Sequence, residues 1–381
     1  MHALILTSPA TSIKQQSRYI AQVLLDSGWN VYVVDYNNAY LAYRYITLYD
    51  PKLAINIMDP FVLPYVTKGV NGFSGEVITY YTADGAPHTD LQRSHVRQIC
   101  RSTYVIANSA YSKANLEVID CHVNEIIPNG IDWVGLGRFF NSVPKYDLVS
   151  VGYYNPGLNE YGNNWWGDRK GHPALVGLLY RLWKMGFLFT AHLHTGPDLL
   201  TRAFRAFTNQ VNRVVSEPIL GANVSISVVR TDVDYHFFAV DKEPDYEHPV
   251  KVTFAGGAKD IGEYYDGEYY ISNSYVEGFG LTPFEALGVG RYAIVNDLPT
   301  WREHLPSDCV SRVPIHTVKD YVWGLGVNKL LMRFHIPDFY AWEELLIRAV
   351  SHEMKYDPVL CRESVRQYDY RLTYEWFRKK L

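Results

Sequence analysis

The sequence predicts an α/β protein made of two successive halves, each a mostly parallel sheet covered by helices. Three observations carry that prediction. The length of 381 residues exceeds what one hydrophobic core usually organises, since domains commonly hold about 100 to 200 residues. Short apolar runs alternate with amphipathic stretches from the first residues onward, as βα units do. The same alternation starts afresh at residues 147–152, after a connection that contains Pro144.

In the first half, residues 2–6, 31–35, 77–81, 104–108 and 125–127 read as strands, being short, apolar and rich in β-branched or aromatic side chains. Residues 15–27 and 90–101 carry helical spacing, and 112–118 carries it more briefly. In the second half, strands are expected at 147–152, 189–194, 224–229, 250–254, 269–272 and 292–295, with helices at 173–185, 199–215 and 282–288. The acidic segment 232–247 reads as a solvated loop. Residues 365–381 are expected to form a helix that returns to the first half, an ordinary surface helix being the alternative. The expected divisions are 1–143, 144–350 and a C-terminal segment 351–381. Ligands of such sheets sit beyond the carboxyl ends of strands, so chemistry is sought at strand-to-loop transitions.

Composition narrows the function classes. Hydrophobic content of 48% and charged content of 20% suit a folded globular chain. A net charge of −4 supplies no global positive field for a polyanion, which argues against a nucleic-acid partner. Cys100, Cys121, Cys309 and Cys361 show no CxxC pair and lie in a chain too large to need disulfide staples, so they read as buried thiols of a cytoplasmic protein. The N-terminal apolar run has no basic flank and fits a first strand better than a signal peptide. No apolar stretch approaches the roughly 18 residues of a membrane span, and peripheral contact with a membrane surface stays open. The 31 tyrosines are assigned to packing before sugar stacking. His192 and His194 alternate on an expected strand; without a third ligand they read as a packed or surface pair, and no metal site is expected.

The informative segment is YYISNSYVEGFGLTPFEALGVG, residues 269–290: a strand, a glycine-bearing loop and a helix start, with Glu277 and Glu285 eight positions apart. Gly278 and Gly280 allow backbone to approach a ligand, Thr282 suits a cap and Pro283 suits the first helical turn. Free amides at such a helix start offer an anion site. A loop with one capping and one surface glutamate is the purely structural alternative.

Residues 277–286, EGFGLTPFEA, resemble the signature of family 4 of the retaining glycosyltransferases, and residues 290–303 resemble that family's next strand and helix. The segments VIANS (105–109), IIPNGID (126–132), LVSVG (148–152) and RKG (169–171) are similar to further segments of it, and residues 254–257 more loosely. The resemblance implies a GT-B fold, two Rossmann-like domains facing a central cleft, the first on the acceptor side and the second binding a nucleotide sugar. It implies that Glu277 contacts donor-sugar hydroxyls, that Glu285 holds the ribose, and that amides of Phe279, Gly280, Leu281 and Thr282, with Gly278 beside them, meet the diphosphate. Lys170 and Arg169 would supply cations to the leaving phosphate, so that neither metal nor other cofactor is needed and the nucleotide sugar enters as substrate. In the loop after residues 77–81, His88 is the candidate sugar contact and Asp84 its competitor.

The chain also departs from the family. Tyr153 stands where an arginine often follows the VG, residues 153–168 form a loop with two tryptophans, and residues 7–12 replace the usual glycine-rich loop. The expected activity is retaining transfer from a UDP-, GDP- or ADP-sugar to a hydroxyl on a glycan, lipid or protein. The alternatives are a donor-binding but inactive accessory subunit, and a nucleotide-sugar epimerase of the same fold.

Overall fold

The structure, a computed structural model, describes residues 1–8, 10–59, 73–152, 169–194, 226–231, 234–239, 251–255, 261–325 and 328–380. The expected loop at 153–168 and helix at 199–215 lie outside the described residues.

The first half runs β1 (His2–Thr7), α1 (Thr11–Asp26), β2 (Asn30–Asp35), α2 (Ala39–Tyr49), β3 (Leu53–Met58), β4 (Glu76–Tyr81), β5 (Ala86–Pro87), α3 (Asp90–Ser102), β6 (Tyr104–Ala107), α4 (Ala110–Glu117) and β7 (Glu125–Ile126). Six of these strands form one sheet in the order β2-β1-β3-β4-β6-β7, every neighbour parallel. Strand β3, which the sequence reading passes over, lies inside this sheet with all its residues buried. A strand covered on both faces shows no polar alternation, and buried Asn56, donating to Thr79 Oγ1 at 3.3 Å, interrupts its apolar run.

After α5 (Trp133–Leu136), the second half contains β8 (Tyr146–Val151), α6 (His172–Lys184), β9 (Thr190–His194), β10 (Ile226–Thr231), β11 (Asp234–Ala239), β12 (Lys251–Ala255), β13 (Gly267–Ser272), α7 (Leu281–Gly288), β14 (Tyr292–Asn296), α8 (Pro299–His304) and β15 (Val310–Val313). Its sheet has the order β12-β9-β8-β13-β14-β15, again parallel throughout. Counted along the chain this is 3-2-1-4-5-6, and the order reverses between β8 and β13. The crevice at that reversal is where such sheets bind ligands. Tyr269 and Ile271 pack with α6 on one face while Tyr270 packs with α7 on the other, as the two-residue period of a strand requires. Strands β10 and β11 form a separate antiparallel pair, so residues 234–239 are not the loop expected of the acidic segment; the rest of that segment lies outside the described residues.

Beyond β15 the chain forms β16 (Ile315–Leu325) and β17 (Asn328–Pro337), then α9 (Phe339–Val350), α10 (Pro358–Ser364), α11 (Tyr370–Thr373) and α12 (Glu375–Lys380). Strand β17 pairs with β5 through Leu331 and Ala86, tying the second half to the first. Residues 365–381 are not the single helix expected. Ile131 N–H donates to Tyr368 O and Ile131 O accepts from Tyr370 N–H, both at 2.8 Å, which holds the chain extended at Asp369, and Asp369 restarts the helix by capping Arg371 N–H. The two short helices that follow bury Tyr374 and Phe377 in the core of the first half, beside Ile20 and Leu24 of α1.

The reading of four free thiols is corrected. Cys100 and Cys121 form a disulfide, 21 positions apart, because α3 and the turn after α4 descend on the same side of β6 and bring their Cα atoms to 5.4 Å. Cys309 and Cys361 are free and buried. Among the described residues no helix is long and apolar enough to cross a membrane.

Candidate functional site

The carboxyl end of β13 opens into residues 273–280, which lead to α7. The turn carrying Arg169 and Lys170 is stitched to this loop through its main-chain oxygens. Tyr275 N–H donates to Arg169 O at 2.8 Å, and Asn273 Nδ2 donates to Gly171 O at 3.0 Å. Both cations are thereby held at the crevice between β8 and β13, beside the carboxylate of Glu277. Lys170 pairs with that carboxylate, and Arg169 NH1 lies 3.5 Å from its other oxygen. Glu277 is only 6% exposed. Burial works against its charge, yet Lys170 first and Arg169 next hold its pKa below the ordinary carboxylate value. Thr300 Oγ1 of α8 donates to Glu277 O at 2.9 Å and fixes the backbone behind it.

Asp84 comes to the same place from the first half. Its Oδ2 is 3.0 Å from Arg169 NH1, and its Oδ1 accepts from Gly278 N–H at 2.6 Å. Ser109, which caps α4, donates to Gly278 O at 2.5 Å. The Gly278 peptide is therefore gripped from both sides by the first half. Gly280 takes φ +74°, and a Cβ there would lie 2.6 Å from Trp301 Nε1. Only glycine fits that turn, which starts α7 at Leu281.

Thr282 is not the cap expected of it. The helix starts one residue earlier than the pattern suggests, so Gly280 holds the cap position and the Thr282 hydroxyl accepts from Tyr270 OH at 2.5 Å. Phe279 is buried and stacks on Phe284 with ring centres 4.7 Å apart. Leu281 is buried in the same cluster.

Glu285 meets different surroundings. It is 6% exposed, Tyr265 OH donates to one oxygen, and Gln15 Nε2 of α1 donates to the other at 3.0 Å. Burial raises its pKa, and the Tyr265 and Gln15 hydrogen bonds oppose that rise. His88 lies on the Asp84 loop, its backbone N–H donating to Lys329 O at 2.9 Å. Its Nδ1 is buried without a hydrogen-bond partner among the described residues, and its ring makes no hydrogen bond with the Glu277 group.

His192 and His194 are a packed pair on β9, ring centres 4.2 Å apart, His192 stacked on Tyr146. Burial, with a smaller contribution from Lys145, pushes His192 down to about 4. Tyr153 and the tryptophan loop lie outside the described residues. Gln15, Tyr265 and Ser109 are the site neighbours to which sequence reasoning assigns no role; a contact spanning 270 positions, as between Gln15 and Glu285, leaves no local signal.

No family model matches the chain. ORF313 of Acidianus filamentous virus 1, which carries a provisional glycosyltransferase name, is 32% identical over 101 residues, 23% of this chain and 31% of that protein. The match thus spans about a third of the relative's length. Solved structures align over the whole chain. A glycosyltransferase from Rickettsia africae has a TM-score of 0.62 at 13% identity, covering 100% of this chain and 97% of that one. Sucrose-phosphate synthase from Thermosynechococcus elongatus has 0.61 at 14%, covering 100% and 97%. Anabaena Alr3699/HepE, solved with UDP and glucose, has 0.60 at 13%, covering 100% and 99%. The chain has the fold these structures share, the GT-B arrangement of two Rossmann-like domains.

Proposed function

We propose that this protein is a retaining, family 4-type glycosyltransferase that moves a sugar from a nucleotide-sugar donor, of the UDP, GDP or ADP class, to a hydroxyl acceptor. The observation that carries the reading is the buried Glu277 carboxylate clamped by Lys170 and Arg169 at the strand-order reversal, beside the start of α7. Breaking the bond from anomeric carbon to diphosphate puts growing negative charge on the leaving phosphate, and pre-placed cations and amides stabilise it. Lys170 and Arg169 are those cations, the amides at the start of α7 assist, and transfer needs no divalent ion. Glu277 holds donor-sugar hydroxyls, and His88, on the Asp84 loop, is a second sugar contact. Glu285 takes the ribose. The first half, to residue 143, receives the acceptor; residues 144–350 bind the donor; residues 351–381 close the molecule back onto the first half. The reading also takes the protein as cytoplasmic.

The test is release of nucleoside diphosphate from UDP-, GDP- and ADP-sugars in the presence of excess EDTA. Turnover is expected to survive chelation, to fall about 100-fold or more in Lys170→Ala, and to fall in Glu277→Gln with affinity for the bare diphosphate nearly intact. Activity abolished by EDTA and restored by magnesium would overturn the metal-free mechanism. Loss of diphosphate binding in Glu277→Gln without loss of turnover would reassign that residue.

A further inference from the structure

Glu285 sits at the boundary between the halves, and its two oxygens are engaged from opposite sides. Tyr265, just before β13, donates to Oε2, while Gln15, one turn into α1, donates to Oε1 at 3.0 Å. The Gln15 amide nitrogen also donates to Tyr19 OH at 2.9 Å, so both of its hydrogens are committed and the amide has one orientation. Tyr19 is itself held by stacking on Tyr370, ring centres 4.4 Å apart and planes 5° from parallel. An ionised carboxylate offers about four lone-pair directions, two per oxygen. With one direction on each oxygen occupied among the described residues, each oxygen keeps one acceptor direction. That is the acceptor pattern for two adjacent hydroxyls.

We propose that Gln15 is a specificity-determining residue for the nucleoside: reaching across from the opposite half, it fixes Glu285 to accept a vicinal diol, so that ribose is preferred over 2′-deoxyribose. The proposal rests on the reading of Glu285 as the ribose ligand. It makes that preference depend on the two halves being closed, because Gln15 and Glu285 belong to different sheets' helices. The Gln15 and Tyr265 hydrogen bonds also oppose the upward push of burial on Glu285, which favours the acceptor-only form a diol needs. Gln15 acts through Glu285 and is a positioning residue.

The test is calorimetric titration of the full chain with UDP, GDP and ADP, then with the 2′-deoxy counterpart of whichever binds, in wild type, Gln15→Met, Gln15→Asn and Glu285→Gln. Methionine keeps the length and removes the donor; asparagine keeps the amide and shortens its reach. The wild type is expected to favour the ribonucleotide by about 10-fold, as loss of one charge-assisted hydrogen bond implies. Both Gln15 variants should bring that ratio towards unity while melting within a few degrees of the wild type. An unchanged ratio in both overturns the proposal and leaves Glu285 as the ribose ligand, provided Glu285→Gln removes the preference. Tighter ribonucleotide binding in Gln15→Met also overturns it, since Gln15 would then occupy the place of a hydroxyl. Absence of any ribose preference in the wild type overturns the Glu285 reading itself, and this proposal with it.

Discussion

Two glutamates eight positions apart end in opposite electrostatic surroundings. Glu277 is surrounded by cations and kept ionised; Glu285 is surrounded by neutral donors and pushed upward by burial. Side-chain surroundings of this kind also set how the protein responds to pH. His192, buried on β9, is pushed down to about 4, whereas an unfolded chain's histidine titrates near 6.5. Between those values the unfolded state takes a proton that the folded state refuses. The stability contribution is therefore complete above about 6.5 and is lost as pH falls towards about 4, by roughly 3 kcal/mol at most. His192→Phe keeps a ring for Tyr146 to stack on and removes the titration. Urea unfolding from pH 7 to pH 4 should show a shallower loss in the variant than in the wild type; parallel curves would assign the acid sensitivity to other groups, such as half-buried His304 and buried His335, which desolvation also pushes down.

The loop between β13 and α7 depends on elements that follow it. Trp301 of α8 fills the space under Gly280, and its Nε1 donates to Gly280 O at 3.3 Å. On the other side, Tyr275 and Val276 pack against Leu330, Met332 and Phe334 of β17, and His335 N–H donates to Tyr275 O at 2.8 Å. The β16–β17 hairpin therefore supports the Glu277 loop from below and, through β5, holds the Asp84 loop against it. Gly280→Ala combines a left-handed backbone with a Cβ 2.6 Å from the indole. It should destabilise the protein by about 2 kcal/mol or more and weaken nucleotide binding, as the amides at the start of α7 shift. Chemical denaturation and titration with the nucleoside diphosphate read the two effects separately. Wild-type affinity in a destabilised variant would detach the α7 amides from the ligand.

At the scale of the molecule, the halves are joined by the Asp84–Arg169 ion pair, the grip on the Gly278 peptide, the Gln15–Glu285 bond, the β5–β17 pairing and the C-terminal return. The Cys100–Cys121 disulfide lies within the first half alone. Closing a loop of 21 positions removes unfolded-state entropy worth on the order of 3 kcal/mol. Cys100→Ser, or reduction of the wild type, should lower stability by about that amount without changing nucleotide affinity, because the disulfide joins elements of the first half while the loop between β13 and α7 belongs to the second. A matching loss of affinity would show that the first half's stability and the site are coupled.

The amino-acid order by itself determined what depends on neighbours along the chain. Apolar runs marked most strands of the parallel sheets. Residues 269–290 showed a strand, a turn demanding glycine and a helix, because backbone conformation is a local property. The tertiary structure alone decided what depends on residues far apart in the chain. It brought Cys100 to Cys121, Asp84 to Arg169 and Gln15 to Glu285. It also formed β16 and β17, which the sequence reading does not mark as strands, and paired β17 with β5. Strand order in the second sheet belongs to this second class: it places the crevice between β8 and β13, and no stretch of sequence encodes which strands become neighbours. The physical reason is that pairing and ion contacts are chosen by which surfaces bury together when the whole chain closes, and burial is a property of the assembled molecule.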